Sequence, residues 1–360
     1  MVVIPRAATL VKSVVYQCRV CVVFRAKTNS QLMASLPRER VTLSRPFFAT
    51  GVDFAGPFDI KTYTGRACKV TKGYICLFVC CATKAVHLEP ASDLTTACFL
   101  GAFTRFISRR GCPRTVLSDN GTNFVGAAKV CSRDLQSVVQ SLSLAAEKGN
   151  LSQSLEWRFI PPGAPHMGGL WEAGVKSVKT HLRKGLEGHR LTFEEMGTVL
   201  SRIEAVLNSR PLMPVSEDPT TLEPLTPGHF LVGGPLLARA EPGPTTSSLS
   251  ILNRWTKVTA IAHEISMRWK RDYLVTLQVR TKWKRPETDI RVGDMVVVKN
   301  EVLPSTEWRL GRVMMVHPGR DGRARIATVR TQRGDILRPL VKLVRLPPGG
   351  WEPPQADGSS

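Results

Sequence analysis

The sequence predicts an α/β protein whose interleaved strands and helices are followed by a helical segment and then a small β-barrel of SH3-like size. Three observations carry this. Between residues 46 and 210, strand-length apolar runs alternate with helix-period stretches. From Ile251 to Trp283 a helical pattern carries Trp255, Trp269 and Trp283. From Ile290 onward short strand candidates are separated by turn clusters such as Pro318-Gly319-Arg320-Asp321-Gly322.

The elements follow in order. Phe48–Phe54 is a strand candidate, Tyr74–Cys81 a continuous apolar run of buried-strand length, and Lys84–Leu88 an alternating neighbour. Cys98, Phe99, Ala102, Phe103, Phe106 and Ile107 recur at helical spacing. Gly111 after Arg109 and Arg110 is a helix stop with cations in the last turn. Thr115–Leu117 is a short strand that runs into the turn Ser118-Asp119-Asn120-Gly121. Residues 126–150 read as helical and Trp157–Ile160 as a strand. A Pro/Gly loop covers 161–169, and a helix starts near Leu170. Thr192 and Glu195 form a capping box for a helix through Leu207. Pro211–Gly243 is Pro/Gly-rich and reads as irregular. The late strands are Met295–Lys299, Gly311–Val316, Arg325–Val329 and Val341–Leu346. The resulting divisions are 1–45, 46–210, 211–250 (a linker), 251–285, 286–347 and a disordered tail, 348–360.

Charge points to a partner. There are 50 Lys and Arg against 29 Asp and Glu, a net charge of +21 over 360 residues. Such a surface attracts polyanions, of which nucleic acid is the commonest; the alternative is a basic protein without such a partner. Residues 251–347 hold 21 Lys and Arg against 9 Asp and Glu, a net +12. Nine Cys without a disulfide-like framework and no secretory pattern suggest an intracellular, reduced protein. No window approaches the roughly 18 apolar residues that span a membrane. Cys18 and Cys21 stand as C-x2-C, which suits half of a tetrahedral zinc site. The first His of the chain is His87, so two unliganded thiols in a truncated segment fit the same pattern.

Three acids stand out. Asp53 interrupts an apolar strand, where a charge is expensive unless paired or metal-bound. Asp119 ends a second strand, and Glu172 lies in the first turn of the helix after the glycine loop. Brought together they would repel, and a divalent cation is their natural partner. On that last helix Trp171, Val175, Val178 and Leu182 form an apolar stripe. Glu172, Lys176, Lys179 and Arg183 repeat the spacing, rotated by one residue or about 100°. That face reads as a metal ligand beside a track for phosphates, or as ordinary Glu–Lys pairing on a solvated face.

Several motifs carry a resemblance. They run from Thr50 to Phe58 (TGVDFAGPF), Ser118 to Phe124 (SDNGTNF), and Pro161 to Glu172 (PPGAPHMGGLWE). Others are Asn208 to Leu212 (NSRPL), Leu225 to Leu231 (LTPGHFL), Arg254-Trp255, Trp308 to Val313 (WRLGRV) and Val329 to Thr331 (VRT). In this order they resemble the integrase of BEL/Pao-type LTR retrotransposons, from Cys18 to about Pro347. The resemblance implies an RNase H-like core, a mixed sheet flanked by helices, with a D,D,E triad at Asp53, Asp119 and Glu172. It implies two Mg²⁺ or Mn²⁺ ions on that triad and double-stranded DNA as partner, with Asn120, His166, Lys176 and Lys179 at the active site or on DNA, and the phosphate track read from the helix adds Arg183. Arg309 and Arg312 are expected on the DNA-binding face of the barrel.

The implied reaction is trimming of element DNA ends and transfer of the 3′-OH to target DNA, by a homo-oligomer in the nucleus. Two departures from the family pattern stand out. Its N-terminal zinc module has two His before two Cys, and here only Cys18 and Cys21 appear, so Zn²⁺ is not expected. His263-Glu264-Ile265-Ser266 replaces a more aromatic stretch, which leaves the packing of that helix open. Two other readings compete: a DNA-binding fragment that no longer cuts, and an RNase H-like nuclease.

Overall fold

Residue alternation along one long strand organises the mixed-sheet half of the molecule. In the computed structural model, residues 7–18, 37–65, 67–143, 155–160, 179–186, 188–216, 221–236, 254–277, 290–299, 308–319 and 324–347 are described. The chain divides into two units, Met1–Val41 and Thr42–Ser360. The first holds helices α1 (Ala7–Gln17) and α2 (Arg38–Val41). Cys18 closes α1, its amide donating to the Val14 carbonyl; Cys21 lies outside the described residues.

In the second unit, β1 (Ala49–Lys61), β2 (Val70–Cys80) and β3 (Val86–Ala91) form an antiparallel meander. Helix α3 (Thr96–Arg110) crosses to β4 (Thr115–Ser118), which lies parallel to β1. Helix α4 (Thr122–Ser143) crosses again to β5 (Glu156–Phe159), parallel to β4. The order is β3-β2-β1-β4-β5, a mixed sheet flanked by helices, as the sequence predicted. Helical residues 179–186 (α5) lead to β6 (Leu191–Thr192), which pairs with the far end of β1, and to α6 (Phe193–Asn208). The capping box at Thr192 and Glu195 forms with both reciprocal bonds in place.

Side chains alternate across the sheet. Val52, Cys76, Phe78 and Val116 face α3 and α4, where Phe99, Phe103, Phe106 and Phe124 complete an aromatic layer. Phe78 and Phe106 stack at 4.2 Å between centroids. Ala55, Ile75, Leu77 and Leu88 face the other way, onto Leu182 and Leu186 of α5, Leu200 and Ile203 of α6, and α8 (below).

The region expected to be an irregular linker holds a short hairpin, β7 (Met213–Pro214) with β8 (Pro224–Leu225), and helix α7 (Pro227–Val232). Short elements with little apolar periodicity leave no clear sequence signal. Helix α8 (Arg254–Leu277) follows. Its departure from the family pattern does not disturb packing, because Ile261, Ile265 and Trp269 are buried against the sheet. A Cβ on Gly185 would lie 2.1 Å from Ile265 Cγ1, so only glycine permits this approach of α5 and α8.

The C-terminal strands are β9 (Met295–Val298), β10 (Leu310–Pro318), β11 (Ala324–Thr331), β12 (Gly334–Pro339) and β13 (Leu343–Arg345). They pair in the order β12-β11-β10-β9-β13. Strand β12 was not expected, since its alternation of exposed and half-buried residues is weakly apolar. The strand expected over Val341–Leu346 is instead a 3₁₀ turn, Leu340–Lys342, followed by β13. All four residues of β9 are buried, Met295 and Val297 toward Leu274 of α8, Val296 and Val298 toward Val313 and Val329. No helix among the described residues is long and apolar enough to cross a membrane.

A buried polar network fastens β3 to α3 and α6. Glu89, 2% exposed, accepts from Arg105 Nε at 2.6 Å and Arg109 Nη1 at 2.8 Å and meets His87 Nε2 at 2.9 Å. Glu204 accepts from Arg110 and from the Leu88 amide, and lies 3.2 Å from His87 Nδ1. Burial disfavours the charged form of His87, but hydrogen bonds to Glu204 and Glu89 outweigh it and raise its pKa. For Glu89 burial acts upward, and His87 and Arg105 outweigh it downward.

The signs set a pH window. The His87 contribution to stability is full below about pH 6.5 and is lost as pH rises through its higher folded value. That of Glu89 is full above about pH 4.3 and is lost as pH falls through its lower folded value. Urea midpoints should therefore fall between pH 6 and pH 8.5 in the native protein, and this fall should flatten in His87→Gln. Glu89→Ala should cost about 3 kcal/mol, because it strips a buried partner from His87. Equal pH slopes in native and variant proteins would remove the network from this role.

Candidate active site

The site is built by register. Thr50 pairs with Val116 and Gly51 with Leu117 in the parallel ladder of β1 and β4. Asp53 lies two residues past Gly51 within β1, and Asp119 two residues past Leu117, just beyond the end of β4. Neighbouring strands lie about 4.8 Å apart, and residues of equal parity share a face. Asp53 pairs across β2 with Leu77, which belongs to the layer under α5 and α8. Both carboxylates thus belong to the face that α5 covers.

Lys179, at the start of the described part of α5, confirms this geometry. Its Nζ lies 2.5 Å from Asp53 Oδ2, with side chains 33% and 26% exposed. The charge inside an apolar strand is therefore paired, as burial requires. Asp53 Oδ1 accepts from the Phe54 amide at 2.6 Å. Asp119 is exposed, and its Oδ1 accepts from the Gly121 amide at 3.0 Å. A Cβ on Gly121 would lie 3.1 Å from that same oxygen and 2.7 Å from Asn123 Oδ1. Asp119 Oδ2 has no hydrogen-bond partner among the described residues.

The end of β4 is held from β5. Asn120 Nδ2 donates to the Ile160 carbonyl at 2.7 Å, and Trp157 Nε1 donates to Ser118 Oγ at 2.9 Å. Asn120 is thus beside the carboxylates with its amide oriented by the backbone. Leu182, the one described member of the expected stripe, is buried, as is Leu186 one turn on, and Arg183 is exposed; Trp171, Val175 and Val178 lie outside the described residues. Glu172, His166 and Lys176 lie outside the described residues. Among the described residues no group of three His, Cys, Asp or Glu could hold a metal ion. Asp53 and Asp119 offer carboxylate oxygens of the kind a hard divalent cation takes, each two residues past a paired position of β1 and β4.

Arg309 and Arg312 separate. Arg309 is half-buried at the start of β10. Arg312 is 7% exposed; its Nη1 donates to the Gly293 carbonyl at 2.9 Å and its Nη2 faces the Ser216 and Thr221 carbonyls at 3.4 Å. The expectation that it meets DNA gives way to a bond between the C-terminal sheet and the β7–β8 hairpin. Sequence reasoning missed the role of Arg109 and Arg110, expected only as helix-end charges, in binding Glu89 and Glu204. Glu89 within an otherwise apolar strand was the available signal.

Residues 253–346, spanning α8 and the C-terminal sheet, match a family of unknown function, DUF5641. No curated protein matches the chain. A cryo-electron microscopy structure of the simian T-cell lymphotropic virus intasome, in complex with the PP2A regulatory subunit B56 gamma, is similar at 16% identity. The match covers 95% of this chain and 92% of that one, with a TM-score of 0.36. The HTLV-2 integrase catalytic core domain, in complex with magnesium in a trimeric form, is similar at 18% identity over 52% of this chain and 97% of that one, with a TM-score of 0.32. The fold assignment here rests on strand order and register.

Arg312→Met should lower stability by about 2 kcal/mol in urea unfolding, because backbone carbonyls lose a charged donor. Arg309→Gln should stay within about 0.5 kcal/mol of the native protein. Equal stability of the two variants would contradict the structural placement of Arg312.

Proposed function

We propose that this chain is the integrase of an LTR retroelement of BEL/Pao type, a polynucleotidyl transferase that trims element DNA ends and joins them to target DNA. The observation that carries the reading is the placement of Asp53 and Asp119 two residues past the paired Gly51 and Leu117 of parallel β1 and β4, within the motifs TGVDFAGPF and SDNGTNF, with Lys179 against Asp53. Glu172 is the third acid of the proposed triad. Two divalent ions, Mg²⁺ or Mn²⁺, held by the three acids would supply the positive charge that an in-line displacement at phosphorus needs.

The chain's own residues supply position and charge. The Gly121 amide fixes the Asp119 carboxylate, and Asn120 is held to the end of β5. Lys179 sets a positive charge beside Asp53, where a phosphate oxygen of bound DNA would also meet it. Arg183 lies one helical turn, about 6 Å, further along the same helix. His166 and Lys176 extend that DNA-facing surface in this reading. Arg309 belongs to the basic C-terminal region that adds sequence-independent affinity. Element-end processing and joining in the nucleus, by a homo-oligomer on double-stranded DNA, complete the proposal.

Asp119→Asn is the direct test. It removes one charge at constant size, so strand transfer on a labelled DNA end in Mg²⁺ or Mn²⁺ should fall at least a thousandfold while urea unfolding is unchanged. Near-normal joining by this variant would sink the assignment. Native protein that binds DNA without joining it would favour the binding-only alternative, and cleavage confined to RNA–DNA hybrids would favour the nuclease.

A further inference from the structure

A second basic site lies at the opposite end of β1 from Asp53. From Asp53 to Asp59 the strand covers roughly 20 Å. There a cavity of about 770 Å³ is lined by Lys61, Arg183, His189, Arg190 and Lys257, over a floor that includes Phe58 and Leu186. The fold gathers these cations from separate elements. Lys61 ends β1 and pairs with Thr192 of β6, which holds the 188–190 turn alongside. Gly188, at φ +76°, makes that turn after α5, and the His189 amide donates to the Leu186 carbonyl. Lys257 comes from the first turn of α8.

Among the described residues, none of Lys61, Arg183, Arg190 and Lys257 forms an ion pair within 4 Å. The one carboxylate in the wall, Asp59, is bonded to Lys72 at 2.7 Å and also feels the charge of Arg190, and Glu264 acts on His189, so the cations outnumber the acids around the cavity. Burial, with Lys257 beside it, lowers the pKa of His189, so at neutral pH the ring is an uncharged hydrogen-bonding group. Four fixed cations around one open concavity exceed what a single small anion neutralises. A row of phosphates matches the charge. Arg183 links the two sites, since it lines this cavity and follows Lys179 by one turn of α5.

We infer that this cavity binds the phosphodiester backbone of a DNA strand running on from the carboxylate site, with Lys61, Arg190 and Lys257 as its phosphate contacts. The inference deepens the nucleic-acid reading above and rests on it for the identity of the polyanion. The competing account is structural: the cations offset the negative C-terminal end of α5 and steady the turn.

The test is equilibrium binding of the full chain to a labelled DNA duplex between 50 and 200 mM salt, with chelator present so that no chemistry intervenes. Each lost phosphate contact lowers the slope of log affinity against log salt by about 0.9. The triple variant Lys61→Gln, Arg190→Gln, Lys257→Gln should lower it by two to three units, and Arg190→Lys should retain the native slope. An unchanged slope overturns the inference, as does an affinity loss that only tracks a lower melting temperature. Displacement of the duplex from native protein, but not from the triple variant, by tripolyphosphate supports the site. Displacement that is equal in both overturns it. The two readings fail separately. An unchanged slope beside Asp119-dependent joining sinks only the cavity, and a reduced slope beside absent joining sinks only the catalytic reading.

Discussion

Everything at the site depends on the in-phase parallel pairing of β1 with β4. A shift of one residue would turn one of the two acids to the opposite face of the sheet, because side chains alternate with a period of two. The pairing is short, three residue pairs, yet it is fixed from both sides. On one side β1 makes a long ladder with β2; on the other Asn120 and Trp157 tie the end of β4 to β5. The Lys179 ammonium meets the Asp53 carboxylate, so the same charge that breaks the apolar run of β1 ties α5 to it.

What the sequence revealed was mostly local. The Thr192–Glu195 capping box and the Gly111 stop were legible because both depend on residues a few positions apart. Asp53 was legible as an anomaly, a charge where an apolar strand should continue. Arg312 was not, because an arginine in a basic segment looks like surface, and only the distant Ser216 and Thr221 carbonyls make it an internal bond. The same holds for Lys61, Arg190 and Lys257, which the chain scatters and the fold gathers. Strand β12 escaped because its residues are half-buried at most, so its alternation is weak in hydrophobicity.

Helix α8 belongs to two layers at once. Its first half packs Val258, Ile261 and Ile265 onto the face of the mixed sheet that carries the acids, and its last turns meet the C-terminal sheet through Leu274 and Leu277. Tyr273 hydrogen-bonds the Pro211 carbonyl and packs edge-on to Trp308, over whose ring Lys270 lies at 4.6 Å. The segment that matches DUF5641 is therefore structurally continuous with the core.

The contact of Gly185 with Ile265 also has a consequence during synthesis. A ribosome releases the chain from its N-terminus, and the mixed sheet can pair as soon as β5 is out. At that moment its other apolar face lacks Leu182 and Leu186 of α5, Leu200 and Ile203 of α6, and Val258, Ile261, Ile265 and Trp269 of α8. Helices α5 and α6 cover part of it first, and the share that α8 buries stays wet while roughly another hundred residues are translated, a delay of several seconds at ordinary elongation rates. The protein's exposure to misassembly is thus set by how late in the message its last core helix is encoded.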